Sequence, residues 1–416
     1  MESRRTNTQS THAQEAAIES PGAAGRQGAY GEIEPGYEPL YDAFAANFTE
    51  RGDIGAALCV YHHGRKVVDL WGGWADPKSG RPYAHDALQL VFSTTKAATA
   101  LCAHLLVQRG DLDLDAPVST YWEDFSQAGK ATIPVRWLLT HQAGLPTIDA
   151  ELSLAQALQW RPVVEALAGQ PPYWEPGSAH GYHALTFGWL VGEVVRRVSG
   201  RSVGRFFAEE VADPLDLDFW IGLPEEAEPR VVPLLNGPMP DLANLDAESL
   251  RVFAAMLEPG ALALRALSLN GAFVGTGGRG GPFNSREVHS AEIPAANGIT
   301  DARSLARMYA AMIGDVDGIR LLDPAVLDRA RAPAVDGPDR VLLVPTRFGL
   351  GFMCNSSFSE LLGESSFGHS GAGGSLGFAD VDSGIAFGYV MNQLRIGLAG
   401  DQRTTALIEA LRSCLD

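Results

Sequence analysis

Lysine and cysteine are both scarce in this sequence. Its 416 residues include four lysines, at positions 66, 78, 96 and 130, and four cysteines, at positions 59, 102, 354 and 414. The cysteines lie in apolar segments and do not show the C-x-x-C spacing that is typical of zinc or redox sites. We therefore expect buried free thiols, no metal site and a cytoplasmic protein.

The sequence also lacks a long apolar run and a cluster of basic residues. No apolar run reaches the roughly 20 residues that span a bilayer. Residues 1–28 contain no hydrophobic stretch of the signal-peptide type, and we predict that they form a disordered polar tail. The net charge of -18 argues against nucleic acids and anionic membranes as partners, because few cations are available to neutralise phosphate groups.

The sequence that remains has the composition of an ordinary globular chain, with 46% hydrophobic and 20% charged residues. Its length suits one large domain or two interleaved ones. Strand-like patterns occur near both ends of the chain, and helical periodicity dominates the middle. The predicted elements at the two ends are a helix over 37–51, a hairpin over 54–61 and 66–71, strands within 347–353, 366–379 and 385–391, and a helix over 402–415.

These patterns predict an α/β (α+β) fold. An antiparallel sheet would be built from both chain ends and flanked by the terminal helices, and a mostly helical domain would be inserted between them. We expect one domain over 29–416, with its sheet part at about 37–92 and 340–416 and its helical part, with loops, at about 93–339.

The segment 91–110 contains the first candidate catalytic residues. Apolar residues recur at helical spacing, Gly110 closes the run, and Ser93 falls in the first turn. Lys96 lies three residues later on the same face, so its amine can reach the Ser93 hydroxyl as a proton acceptor. The alternative is a capping serine beside a surface lysine. Against it, Lys96 falls inside the apolar stripe, where an unpaired ammonium group is costly.

Three other segments contain reactive side chains. Tyr182 opens a predicted helix that ends at Gly200, and its phenol is expected at an exposed edge, either directed into a cleft or packed. His141 falls near the end of a predicted short helix over 133–144, where we expect it to bond terminal carbonyls rather than to act as a base. His62 and His63 lie at the hairpin turn and are expected to be solvated rather than metal-binding.

The region from 223 to 297 loses periodicity and is rich in glycine, proline and acidic residues. Within it, 275–280 matches G-x-G-x-x-G but runs on into more glycine and proline instead of opening a helix, so we expect no dinucleotide site. We interpret the region as loops that shape a substrate mouth. A helix resumes over 299–313.

A second serine motif, G-x-S-x-G, is centred on Ser375. As a nucleophile elbow it would require a helix after the serine and a histidine later in the chain. The segment after Ser375 is strand-like, and the last histidine, His369, precedes it. We therefore reject Ser375 as the nucleophile.

Four segments in order resemble the serine β-lactamase and penicillin-binding-protein superfamily, in its branch of class C β-lactamase-like esterases, the family VIII carboxylesterases. They are S-T-T-K at 93–96, L-L-T-H-Q-A-G-L-P at 138–146, Y-H-A at 182–184 in the place of Tyr-x-Asn, and H-S-G at 369–371 in the place of Lys-Thr-Gly. The resemblance extends from about residue 37 to the end of the chain.

The resemblance implies an acyl-enzyme on Ser93, with Lys96 and Tyr182 taking its proton as one coupled pair. A Lys96 cation would offset the cost of ionising the phenol. The oxyanion hole would be formed by the backbone N–H groups of Ser93 and Ala372. The substrate would be lined by His369, Ser370 and Gly371.

Two departures from the lactamase pattern favour esters. A histidine such as His369, with a pKa near 6.5, is charged only about a quarter of the time at pH 7, so it captures a carboxylate poorly. Ala184 offers no side-chain amide for an acylamino group. We predict a serine esterase for small to medium acyl esters that needs no cofactor; the sequence leaves the oligomeric state open. The alternatives are an acyltransferase or an amide or thioester hydrolase that uses the same acyl-Ser93, and a non-catalytic binder with a decayed site.

Overall fold

A large antiparallel sheet forms the body of the molecule in the computed structural model, which describes residues 28–237, 247–274, 281–395 and 401–415. In chain order the strands are β1 (Ala29–Ile33), β2 (Gly55–His62), β3 (Arg65–Asp76), β4 (Arg81–Pro82), β5 (Gln89–Leu90), β6 (Phe219–Trp220), β7 (Ile299–Thr300), β8 (Val335–Pro338), β9 (Pro345–Phe348), β10 (Met353–Cys354), β11 (Ser366–Ser370), β12 (Leu376–Asp380) and β13 (Ile385–Met391). The strands of the large sheet follow the spatial order β1-β3-β2-β13-β12-β11-β10-β9-β8, with β4 beside β3, and a smaller sheet has the order β5-β7-β6.

The helices lie mainly between the two groups of strands. None of those in the described ranges is both long enough and apolar enough to cross a bilayer. The α-helices are α1 (Glu38–Thr49), α2 (Thr95–Gln108), α3 (Arg136–Leu139), α4 (Leu154–Ala157), α5 (Arg161–Gly169), α6 (Thr186–Ser199), α7 (Val203–Phe207), α8 (Asp213–Leu215), α9 (Ala247–Leu257), α10 (Leu262–Ser268), α11 (Arg286–Ser290), α12 (Ala302–Ile313), α13 (Pro324–Arg331) and α14 (Gln402–Leu415).

The central strands bury both faces, because alternate residues of a strand point to opposite sides of the sheet. On β2, Leu58 packs in the core beneath the terminal helices α1 and α14, whereas Cys59 joins the core shared with α2 and α12. β13 lies beside β2, so the first and last parts of the chain meet at the centre of the sheet. The predicted fold class is confirmed.

The elements predicted near the chain ends agree with the structure. β2 and β3 form the predicted hairpin, and its turn residues His63 and Gly64 both have positive φ, at 49° and 78°, as a two-residue turn requires. The last strand and the last helix have the predicted bounds. β1 was not anticipated; it adds to the outer edge of β3 just after the predicted tail, most of which lies outside the described residues.

Several predictions in the middle of the chain are wrong. The helix expected over 133–144 is reduced to α3, and the chain after it leaves helical geometry at His141, where φ is 60°. The helix expected from Gly181 begins only at Thr186. The helix expected over 299–313 is preceded by β7 and starts after Asp301, whose side chain caps it. The described parts of the region 223–297 are not simply loops, since they contain α9, α10 and α11.

Candidate active site

Ser93 lies in a short 3₁₀ turn, Phe92–Thr94, which runs directly into α2. Ser375, which precedes β12 in the sheet, hydrogen-bonds this turn. The Ser375 Oγ donates to the Val91 carbonyl at 2.9 Å and lies 3.2 Å from the Thr94 Oγ1. Ser375 is fully buried and begins the approach to β12. This hydroxyl therefore serves as an anchor for the turn, in keeping with its rejection as the nucleophile.

Lys96 lies one turn along the helix and is completely buried. Its Nζ is 3.1 Å from the Ser93 Oγ, 2.7 Å from the Ala184 carbonyl and 3.0 Å from the Ala295 carbonyl. The alternative of a surface lysine is thus excluded. Burial lowers the pKa of Lys96 well below its ordinary value of 10.5.

The three contacts of the Lys96 nitrogen match the bonding capacity of a neutral amine. Carbonyl oxygens can only accept, so the contacts to Ala184 and Ala295 use two N–H groups. A neutral amine has two N–H groups and one lone pair, which is then left for the third neighbour, the Ser93 hydroxyl. This arrangement can receive the proton of Ser93.

Tyr182 completes the group from the loop that precedes α6. The phenol is 5% exposed rather than lying at an exposed edge, so the predicted exposure is wrong. Its backbone N–H donates to Asp339 Oδ1 at 3.0 Å, the Ser93 side chain acts to lower the pKa of its hydroxyl, and Lys96 Nζ lies over its ring, 4.8 Å from the centroid. Burial raises the pKa of the Tyr182 phenol above 10, so the phenol is neutral in the resting site, and the coupled action of Lys96 and Tyr182 remains a prediction.

His369, at the end of β11, faces the phenol. Its Nδ1 is 2.7 Å from the Ser370 carbonyl and therefore carries the proton, which leaves Nε2 as an acceptor 3.5 Å from the Tyr182 hydroxyl. Burial, with the nearby Lys96, lowers the pKa of His369 to about 3. The expectation of a partly charged imidazole is wrong, because this histidine stays neutral across the physiological range.

The turn after β11 lies against the turn that carries Ser93. The Gly371 N–H donates to the Ser375 carbonyl at 2.7 Å. A Cβ on Gly371 would lie 2.1 Å from the Val91 carbonyl oxygen, so only glycine fits this crossing. Ala372 follows in an exposed position. The assignment of the Ser93 and Ala372 N–H groups to an oxyanion hole remains a prediction.

His141 does not bond the helix-end carbonyls as expected. It is buried, and its Nδ1 accepts the His183 backbone N–H at 3.2 Å. Its ring lies 5.0 Å from that of Tyr182 and 4.7 Å from that of Phe348, measured between centroids. Burial holds the pKa of His141 well below 6.5. It therefore supports the phenol from behind as a neutral packing residue.

The region interpreted as a substrate mouth supplies the Ala295 carbonyl that holds Lys96, and it also reaches the site through Phe283. Phe283 packs edge-on against Phe92, the residue before Ser93, with centroids 5.0 Å apart. Both rings are partly exposed, which gives this side of the site an aromatic wall. The G-x-G-x-x-G segment at 275–280 lies outside the described residues.

The sequence did not indicate some of the groups that hold these side chains. The Ala295 carbonyl is 199 residues from Lys96, and the identity of a residue does not show that its backbone carbonyl will bind a distant side chain. Asp339 has a weak signal, since it follows Gly337 and Pro338 in a turn-forming segment; its Oδ1 accepts from the backbone N–H of Val341 and Leu342, as in an Asx turn. No group of three or more His, Cys, Asp or Glu side chains that could hold a metal occurs in the described ranges.

The chain belongs to the Beta-lactamase family, whose model matches residues 44–412. It is similar to Esterase/beta-lactamase LipL of Mycobacterium tuberculosis (strain ATCC 25618 / H37Rv), at 39% identity over 378 residues that cover 89% of this chain and 84% of that protein. It is also similar to Esterase EstB of Burkholderia gladioli, at 30% identity over 205 residues, which are 45% of this chain and 52% of EstB.

The chain is also similar to solved structures of esterases and penicillin-binding protein homologues. A family VIII carboxylesterase matches with a TM-score of 0.82 and 35% identity, over 93% of this chain and all of that one. A penicillin-binding protein homologue from Caulobacter crescentus matches with a TM-score of 0.81 and 36% identity, over the same shares. The resemblance seen in the sequence is confirmed, and the protein is a serine hydrolase of this family.

Proposed function

We propose that the protein is a carboxylesterase that forms an acyl-enzyme on Ser93 and acts on neutral esters of small to medium acyl groups. The observation that carries the proposal is the position of the Lys96 nitrogen, which two carbonyls hold 3.1 Å from the Ser93 Oγ; in the neutral amine the lone pair is left for that hydroxyl. A nucleophile within hydrogen-bond reach of a fixed base is the arrangement that covalent catalysis needs.

In the proposed acylation, Ser93 attacks the ester carbonyl while its proton passes to Lys96. The carbonyl electron pair moves onto oxygen, and the backbone N–H groups of Ser93 and Ala372 stabilise the resulting oxyanion. When the tetrahedral intermediate collapses, the carbon–oxygen bond to the leaving alcohol breaks. The alkoxide takes a proton from the Lys96 and Tyr182 pair, and acyl-Ser93 remains.

Deacylation reverses these roles, with water in the place of the alcohol. The same pair removes a proton from the attacking water and returns one to the Ser93 oxygen as the acid leaves. His369 accepts a hydrogen bond from the Tyr182 hydroxyl through Nε2, which keeps the phenol neutral and fixes the direction of its proton. Its proposed role is to orient Tyr182 and to line the substrate, together with Ser370 and Gly371.

The electrostatics favour an ester over a β-lactam. His369 is neutral at rest, because burial lowers its pKa to about 3, so it presents no fixed cation to a substrate carboxylate. Ala184 uses its carbonyl for Lys96 and has no side-chain amide for an acylamino group. A neutral ester needs neither contact.

The test is turnover of p-nitrophenyl butyrate with fluorophosphonate labelling and peptide mapping, on the wild type and on Ser93→Ala. Label on Ser93 together with hydrolysis supports the esterase. Label with turnover only after addition of an alcohol or amine would support acyl transfer instead. Absence of both label and turnover from the folded wild type would refute the proposal and leave a binding protein.

We also propose a cytoplasmic location. Its support is the state of the cysteines, since Cys59, Cys102 and Cys354 are buried as free thiols. Fractionation of the producing cell with an antibody to the protein tests this, and recovery with a secreted or envelope fraction would contradict it.

A further inference from the structure

Arg403, near the start of α14, is a fully buried cation outside the catalytic group. Its guanidinium is completely surrounded by acceptors. These are the Asp53 Oδ1 at 2.8 Å, the Gln393 carbonyl at 2.8 Å, the Gly373 carbonyl at 2.6 Å, and the Asp401 Oδ1 and Oδ2 at 2.9 and 2.5 Å. One of these acceptors, Gly373, belongs to the turn next to Ser93.

The turn at 371–375 depends on this guanidinium for its shape. Gly373 and Gly374 have φ values of 91° and 126°, in the region that favours glycine. A Cβ on Gly374 would lie 2.4 Å from the Arg403 Nη2 and 2.4 Å from Asp401. The Gly373 carbonyl also accepts the Arg395 backbone N–H at 3.1 Å. The turn therefore rests directly on the arginine, with no side chain between them.

The guanidinium is in turn held from the other side. Asp53, in the loop before β2, is buried and binds Arg403 through Oδ1, while its Oδ2 accepts the hydroxyl of Tyr389 on β13. In the part of the chain that the structure describes, the side chains of Asp53 and Tyr389 bond Arg403 and each other and do not bond the turn. Asp53 thus fixes Arg403 directly and Tyr389 fixes it through Asp53, and of these three side chains it is Arg403 that bonds Gly373.

We propose that Arg403 is a positioning residue for the oxyanion hole: by holding the Gly373 carbonyl it fixes the neighbouring Ala372 N–H toward Ser93. This inference rests on the proposed function. Oxyanion donors act only within narrow limits of distance and direction. A turn with two glycines at positive φ has many other conformations, so the arginine supplies the rigidity that its own residues lack.

The variant Arg403→Lys keeps the charge but loses the planar fork that reaches Gly373 and Asp53 together. Asp53→Asn is the matched variant, because it weakens the same buried ion pair without touching the turn. Arg412→Lys is the control on the same helix: Arg412 also donates to backbone carbonyls, those of Leu361 and Leu362, away from the site. Each is measured for melting temperature, kcat, KM and the affinity of an arylboronic acid that binds as a tetrahedral anion.

We expect Arg403→Lys to lose about tenfold or more in kcat, up to the roughly 10²–10³ of a lost donor. KM should change little, and boronate affinity should fall in parallel with kcat/KM. Asp53→Asn should lower the melting temperature while keeping kcat within about threefold, and Arg412→Lys should keep kcat and boronate affinity. If Arg403→Lys does not fold, Asp401→Asn should show a smaller loss of the same kind, because Asp401 binds the Nη2 that also donates to Gly373, whereas Asp53 binds Nη1.

Unchanged kcat in a folded Arg403→Lys, or kcat losses in Arg403→Lys and Asp53→Asn that follow their melting temperatures alike, would overturn the inference. If Arg403→Lys does not fold, unchanged kcat in Asp401→Asn would overturn it equally. Wild type and Ser93→Ala are assayed in parallel. Turnover that does not require Ser93 would overturn the proposed function, and the inference with it, whereas Ser93-dependent turnover that is insensitive to Arg403 overturns the inference alone.

Discussion

The buried amine of Lys96 makes a prediction about stability that is separate from catalysis. Burial lowers its pKa well below 10.5, the value that it regains in the unfolded chain. Between those two pKa values the unfolded chain binds a proton that the native protein does not. The free energy of unfolding of the wild type therefore rises with pH in this window, by about 1.4 kcal/mol per pH unit from this group.

Lys96→Met removes this contribution, because methionine does not titrate. It also leaves the Ala184 and Ala295 carbonyls without a donor, at a cost of about 1–3 kcal/mol each, but that cost does not change with pH. The variant should therefore be most stable relative to the wild type at the lowest pH. Its relative stability should decrease by about 1.4 kcal/mol for each pH unit within the window.

The assay is urea unfolding of both proteins from pH 7 to pH 10, combined with ester turnover. Turnover should fall by about 10²–10⁴ when the base is lost. Lys130→Met is a matched control: Lys130 is also buried against three carbonyls, and its pKa is lowered to about 8. It should show its own pH-dependent stability difference above pH 8 and no loss of turnover. A stability difference between Lys96→Met and wild type that is constant over the whole pH series would refute the neutral amine.

Three further outcomes follow. Gly371→Ala should lose about a hundredfold or more in turnover, because its Cβ would meet the Val91 carbonyl at 2.1 Å; an active, folded variant in the same ester assay would contradict this. Ser375→Ala should keep at least about a tenth of turnover, since one anchoring hydrogen bond is worth about 1 kcal/mol; a folded but inactive variant would instead restore Ser375 as a nucleophile. The pH profile of kcat/KM should show no inflection near 6.5 from His369, and one that disappears in His369→Gln would disprove its neutrality.

The sheet and the Ser93 to Lys96 contact could be predicted because both depend on short-range periodicity. A continuous apolar run marks β13 and a helical stripe marks α14, both to the residue, and a spacing of three places the amine over the hydroxyl. The segments around His141 and Tyr182 could not be predicted in this way. Their backbones are fixed by partners far along the chain, such as Asp339 and the histidine pair itself, which override the local preference for helix.

The protonation states were also beyond the sequence. His369 and Lys96 have ordinary pKa values in water, and their burial in the folded protein lowers both pKa values. The identity of a residue predicts which groups can titrate. Whether a group is charged at neutral pH depends on the carbonyls and apolar rings around it. For Lys96 these carbonyls belong to distant segments, at Ala184 and Ala295.

The anchor between Ser375 and Val91 spans 284 residues of sequence. During synthesis, Ser93 leaves the ribosome long before β12 and β13, which support its turn, have been made. β2 is likewise made long before its neighbour β13. Contacts of such long sequence separation form late and slowly. The nascent chain should therefore remain inert toward esters until nearly all of it has been translated, so that cutting the chain before β12 yields no partly active fragment.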